Sequence, residues 1–136
     1  MAKTTEAQKR ATAKWQKANV TQKNVKFYRG HAAELSWLES QDAQNSYIIG
    51  LISDDMARHY GVDTWESIDT GFGQEHHCGD AWLTYGDFGS DTYGLHTTTD
   101  NEDTVWNIRA ESIVEAKREA SRFLARLAHG WRPNQA

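Results

Sequence analysis

The spacing of the apolar residues changes along this chain of 136 residues, and the change limits the folds that it can form. Apolar side chains recur every three or four residues over residues 31–41 and 46–59, which predicts two helices. Helical spacing returns over residues 111–129 and predicts a long final helix that ends before Gly130. Before this final helix, short segments rich in aromatic and other apolar residues are separated by turn residues. They predict three strands, at residues 80–88, 92–98 and 103–110.

The remaining parts of the chain carry weaker signals. Residues 1–21 are rich in Ala, Lys and Gln, which favours a basic arm or a marginal helix. Residues 22–29 suggest a short strand with Val25 and Phe27 on one face. The apolar pattern fades over residues 61–79, which indicates a linker. The expected units are therefore the arm, residues 22–60, the linker and an acidic β-β-β-α unit at residues 80–136.

One part of the chain resembles a known family. Residues 24–56 contain the predicted strand, a short helix, a turn and a longer helix, in that order. The resemblance is carried by Ala7-Gln8-Lys9-Arg10-Ala11, Leu38-Glu39-Ser40-Gln41, Tyr47-Ile48, Leu51-Ile52 and Asp55-Met56. This segment, about residues 22–58, resembles the small ribbon-helix-helix proteins of bacteria and their phages. The resemblance implies an obligate homodimer in which the strand pairs with its twofold mate.

The predicted fold class is therefore α+β. It combines an N-terminal ribbon-helix-helix-like dimerisation unit with a small three-stranded antiparallel sheet and one long C-terminal helix. A unit of about thirty residues buries too little apolar surface to be stable alone, which agrees with the implied dimer.

The resemblance also implies a DNA-binding site. The outward face of the paired ribbon would enter the major groove, with Asn and Gln reading adenine and Lys reading guanine. The residues on that face are Gln22, Asn24, Lys26 and Tyr28. The backbone amides at Asn45 and Ser46, at the start of the second helix, would hold a phosphate. The alternative for Asn24 and Lys26 is an ordinary solvated strand face.

The charge is unevenly distributed along the chain. Residues 1–30 contain eight basic residues against the single acid Glu6, whereas residues 54–103 contain twelve acidic residues against Arg58. A basic arm suits a polyanion, and we expect Lys9 and Lys14 to follow DNA phosphates. An acidic surface suits a basic protein, and the residues expected to form it are Asp80, Asp87, Asp91, Asp100, Glu102 and Asp103.

The sequence offers little for catalysis or for cofactor binding. His76, His77 and Cys78 are potential metal ligands, but a zinc site needs further ligands that the spacing of His59 and His96 does not indicate. A polar loop is the simpler interpretation, and no metal, cofactor or enzymatic activity is predicted. The single cysteine excludes an intramolecular disulfide, and the longest apolar run, residues 47–52, is too short to cross a membrane. We expect a cytoplasmic protein.

Two functions fit these observations. The first is a DNA-binding regulator from a phage or mobile element, in which the arm contacts phosphates and the ribbon reads bases. The second is an inhibitor of a host nucleic-acid-binding defence protein, of the anti-CRISPR or antirestriction type. The acidic surface would then occupy a basic groove of that protein. The resemblance favours DNA binding.

Overall fold

The computed structural model of the protein describes residues 5–133. Residues 1–4 of the predicted arm and residues 134–136 of the predicted C-terminal unit lie outside the described part. The chain forms two compact units, Met1–Ser40 and Gln41–Ala136.

The first unit contains helix α1 (Glu6–Asn19), a 3₁₀ turn (Arg29–His31) and helix α2 (Ala32–Glu39). Helix α1 begins with a capping box, in which the Thr5 hydroxyl accepts the Gln8 amide hydrogen at 3.1 Å and the Gln8 side chain accepts the Thr5 amide hydrogen at 3.0 Å. The predicted arm is therefore helical over most of its described length. Helix α2 confirms the helix expected at residues 31–41.

The strand predicted at residues 22–29 is wrong. Residues 20–28 form no helix or strand, and they are called the irregular segment here. A strand is stable only when its backbone groups pair with a neighbour, and within the described residues no neighbouring strand pairs with this segment. The helix-rich order of this part of the chain therefore overturns the predicted ribbon-helix-helix unit.

The second unit contains helix α3 (Gln44–His59), an antiparallel sheet and helix α4 (Ile113–Ala128). The sheet has five strands in the order β1-β2-β3-β4-β5. These are β1 (Glu66–Asp69), β2 (Gln74–Cys78), β3 (Ala81–Tyr85), β4 (Thr92–Thr99) and β5 (Glu102–Arg109). The predicted three-stranded sheet is therefore wrong, because β1 and β2 lie in the stretch expected to be a linker. The two helices and the last three strands occupy their predicted positions, and the α+β class is confirmed.

The hydrophobic core lies between helix α4 and one face of the sheet. Leu83 of β3 and Leu95 of β4 are directly opposite each other and fully buried. Ala116 and Ala120, one turn apart on α4, are also fully buried in this core. Their small side chains let the helix approach the sheet closely. The Ser112 hydroxyl caps α4 by accepting the Glu115 amide hydrogen at 3.2 Å.

Helices α3 and α4 pack against each other through small residues and an ion-pair cluster. Gly50, Ser53 and Ala57 form the buried side of α3. A Cβ atom at Gly50 would lie 2.9 Å from the Arg122 guanidinium of α4, so glycine gives this guanidinium its room. No helix within residues 5–133 is long and apolar enough to cross a membrane.

Candidate functional site

The lysines and arginines of the first unit that the structure describes lie on exposed positions. We call them the basic segment: Lys9, Arg10, Lys14, Lys17, Lys23, Lys26 and Arg29. Lys9 forms an ion pair with Glu6 at 3.6 Å, and both side chains are more than half exposed. Among the residues that the structure describes, the other six have no acidic partner within 4.0 Å. Most of the positive charge of the segment is therefore not neutralised by acidic side chains of the described residues.

The residues predicted to read DNA bases lie on the irregular segment. Gln22, Asn24, Lys26 and Tyr28 are all exposed. Tyr28 precedes the 3₁₀ turn, where its amide hydrogen is directed at His31 Nδ1 over 3.4 Å and the two rings meet edge to face. Phe27 is half-buried, while Val25 is 68% exposed. The two apolar side chains therefore do not share a common buried face.

The predicted phosphate clamp lies in the second unit. Asn45 and Ser46 are exposed residues of the first turn of α3. Ala43 precedes the helix and offers no side-chain cap, so the first amides of α3 are not bound by a capping side chain. The clamp residues and the basic segment belong to different units.

The six predicted acidic residues are divided between two ends of the sheet. Successive turns of an antiparallel meander lie at alternate ends. The turns from β2 to β3 and from β4 to β5 bring four of them to one end: Asp80, Asp100, Glu102 and Asp103. The connection from β3 to β4 places Asp87 and Asp91 at the opposite end. The set therefore does not form one continuous acidic surface.

Three of these carboxylates also have partners within the unit. Asp100 accepts hydrogen bonds from the Arg132 guanidinium at 2.9 and 3.3 Å, and this contact lowers the pKa of Asp100. Asp103 accepts a hydrogen bond from the Thr98 hydroxyl at 2.6 Å. Asp87 accepts one from Thr84 and contacts His96. These contacts reduce the negative field that the set presents to a partner.

The predicted polar loop at residues 76–78 is in fact part of β2. Neighbouring residues of a strand point to opposite faces, so His77 faces away from His76 and Cys78. The three potential ligands therefore do not converge, and within residues 5–133 no three His, Cys, Asp or Glu side chains are placed to hold a metal ion. Burial raises the pKa of the Cys78 thiol and outweighs the opposing effect of a backbone hydrogen bond at Thr64. The charge of Asp63 raises this pKa further.

A cluster that the sequence did not reveal lies on the sheet face that points away from α4. His77, Trp82 and His96 are directly opposite one another on β2, β3 and β4. Their rings stack in a row, with centroid distances of 6.0 Å between His77 and Trp82 and 4.8 Å between Trp82 and His96. A carboxylate contacts each imidazole: Glu75 reaches His77 at 2.8 Å, and Asp87 reaches His96 at 3.1 Å. Only the strand register brings these residues together, and the sequence did not reveal this register.

The residue types around His96 resemble a catalytic triad, but the geometry does not. The Thr84 hydroxyl lies 2.9 Å from His96 Nε2, and the Asp87 carboxylate lies 3.1 Å from the same nitrogen. In a catalytic triad the hydroxyl and the carboxylate use different ring nitrogens, so that the imidazole can accept a proton while the acid orients it. Here the group forms a closed hydrogen-bond network that fixes the sheet face.

Comparison with family models, with curated proteins and with solved structures found no match to this chain.

Proposed function

We propose that the protein is a non-enzymatic binding protein that binds double-stranded DNA through the basic segment. The observation that carries the proposal is the exposed, unneutralised charge of that segment. Six of its seven cations have no acidic partner among the described residues, so DNA phosphates would meet them without first displacing an ion pair. Phosphate contacts of this kind supply most sequence-independent affinity for DNA.

Base reading by Gln22, Asn24 and Tyr28 is not carried forward, because it depended on a paired ribbon. Lys26 remains in the proposal as a phosphate contact. Helix α1 places Arg10, Lys14 and Lys17 at helical spacings of four and three residues, on one side of the helix. A row of cations along one side can follow one strand of phosphates.

The salt dependence of DNA binding tests the proposal. The logarithm of the association constant should fall linearly with the logarithm of salt concentration, by about 0.9 for each phosphate neutralised. The double variant Lys14→Ala/Lys17→Ala should bind more weakly and lower that slope by about two. Arg109→Ala, which removes an exposed cation from the sheet, is the matched control and should leave the slope unchanged. Fluorescence anisotropy with a labelled duplex measures both the affinity and its salt dependence. Equal slopes in the wild type, the double variant and the control would reject the proposal.

A homodimer is the second part of the proposal. Ile48, Ile49, Ile52 and Met56 lie within about 100° of one another around α3, and we call them the α3 stripe. Ile49 and Ile52 are 50% and 56% exposed, although they are apolar. Asp55 and His59 lie beside these apolar side chains on the helix, and the same stripe of a second copy can pack on the apolar part around a twofold axis. Such packing would remove its apolar surface from water.

Light scattering after gel filtration, at micromolar concentration, tests the dimer. The wild type should have twice the mass of one chain, and Ile52→Asp should have the mass of one chain because the charge would be desolvated in the interface. Leu51→Asp is the control, since Leu51 is 50% exposed on α3 but lies outside the stripe. A folded wild-type monomer would contradict this part of the proposal.

We further propose that the protein acts in the cytoplasm, since its single cysteine, Cys78, is a free and buried thiol. Its proposed role there is that of a DNA-binding regulator. The alternative function, inhibition of a basic host protein, has less support. Its six carboxylates are divided between two ends of the sheet, and three of them already have partners.

A further inference from the structure

A cleft of about 430 Å³ lies in the second unit, between helices α3 and α4. Arg58 comes from the last turn of α3, and Lys117 and Arg118 come from α4. Trp65, just before β1, and Ser121 of α4 also line it. The cleft contains no residue of the basic segment, so an inference about it does not depend on the proposed function.

The cleft carries uncompensated positive charge. Among the described residues, Arg58 and Lys117 have no acidic partner within 4.0 Å, and Lys117 is half-buried. Asp54 also lines the cleft, but Arg122 and Arg118 bind its carboxylate at 2.7 and 3.0 Å. Asp63 is the other acid of the lining, and its side chain is exposed. A partly desolvated lysine without a counter-ion favours an anionic ligand.

The floor of the cleft combines an apolar surface with one available donor. The Trp65 indole N–H donates to the Ser121 hydroxyl at 2.8 Å. This bond uses Ser121 as an acceptor, so its own hydrogen remains able to donate to a ligand. Ser121 is 6% exposed and Ala57 beside it is 1% exposed, which fixes both against the core.

We propose that this cleft binds a phosphate group. Arg58 and Lys117 supply the charge, and the Ser121 hydroxyl donates a hydrogen bond. A phosphate monoester carries nearly two negative charges at neutral pH, which matches two unpaired cations better than one carboxylate does. Trp65 and Val114 provide apolar contact for the group that carries the phosphate. The same chemistry is offered by a small phosphate monoester, such as a mononucleotide, and by a phosphate of a nucleic-acid backbone.

Calorimetric titration of the full chain tests the site with three probes: inorganic phosphate, adenosine monophosphate and a short DNA duplex. The variants are Arg58→Gln and Lys117→Gln. Arg126→Gln is the matched control, because it removes one cation from α4 outside the cleft. Loss of one charge-assisted hydrogen bond should raise the dissociation constant about tenfold in each cleft variant, with no change in the control.

The probes distinguish the sources of the phosphate. Saturable binding of the mononucleotide that both cleft variants weaken supports a small phosphate ligand. Binding of the duplex alone, weakened by the same variants, supports a backbone phosphate. The absence of binding by every probe, or equal weakening in the Arg126→Gln control, overturns the proposal. The indole N–H resonance of Trp65 in the wild type gives a second readout that needs no variant. This resonance should shift as the mononucleotide is added, and an unchanged resonance at saturation rejects the site.

Discussion

Asp54 shows how strongly one residue depends on the packing of two helices. Its carboxylate accepts hydrogen bonds from Arg122 at 2.7 and 3.2 Å and from Arg118 at 3.0 Å. The hydrogen bond from Arg122 is the largest influence on its ionisation, burial opposes it, and Arg118 adds to it. Together they lower the pKa of Asp54 from 3.8 to about 2. The spacing of residues along the sequence does not reveal this contact, because it joins side chains of two different helices.

This contact predicts how stability depends on pH. Because the folded pKa of Asp54 lies below its unfolded value, the contribution is complete above about pH 4 and is lost as the pH falls towards 2. Asp54→Asn should lower the free energy of unfolding by about 1–2 kcal/mol at neutral pH, since Arg118 is largely exposed and its share is screened. Thermal melts should show this loss shrinking near pH 2. Asp55→Asn, at the exposed neighbouring position, is the control; an equal loss in both variants would show that the Arg122 contact is not responsible.

Cys78 gives a second prediction for a single residue. Burial raises the pKa of its thiol, so the reactive thiolate is scarce at neutral pH. Iodoacetamide should alkylate it more slowly than an unperturbed cysteine, because the residue is only 6% exposed and its thiol is rarely ionised. Denaturant should restore the ordinary rate. Mass spectrometry follows the modification, and rapid labelling of the folded protein would show that Cys78 is accessible and ionised.

At the scale of elements, the sequence predicted what periodicity encodes. The positions of α3, α4 and β3 to β5 were confirmed, and in the structure β4 and β5 are joined by a connection of two residues. Asp100 and Asn101 have positive φ values of 54° and 65° there, which such turns require. Strands β1 and β2 were missed because their residues are mostly polar and half-exposed or exposed. Conversely, Val25 and Phe27 alternate like strand residues, but no strand within residues 5–133 pairs with them.

The connection between β3 and β4 predicts a coupling between two positions. A Cβ atom at Gly94 would collide with the Asp87 carboxylate, which lies over the sheet at this point. Gly94→Ala should therefore displace Asp87 from Thr84 and His96, and it should destabilise the protein by about 1–3 kcal/mol. Asp87→Ala removes the same contacts directly. Denaturant melts of both variants and of the double variant should show clear non-additivity; additive effects would mean that Gly94 does not act through Asp87.

At the scale of the whole molecule, the charge follows the division into units. The first unit is basic and has no buried residue within residues 5–40, whereas the second contains the core and most of the acidic residues. The sequence revealed this separation of charge, since it depends on composition alone. It did not reveal the row of His77, Trp82 and His96 or the cleft at Lys117, because both depend on how distant segments pack. A unit without a core of its own can devote its side chains to a partner.

The most direct test of the central claim is to map where DNA contacts the chain. Amide spectra of the isotopically labelled wild type, recorded as a short duplex is added, report on each backbone position. The account predicts that the largest shifts lie within residues 9–29 and that raised salt suppresses them. Residues of the acidic sheet ends, such as Asp80 and Asp91, should not shift. A saturating duplex that leaves residues 9–29 unchanged would contradict the account.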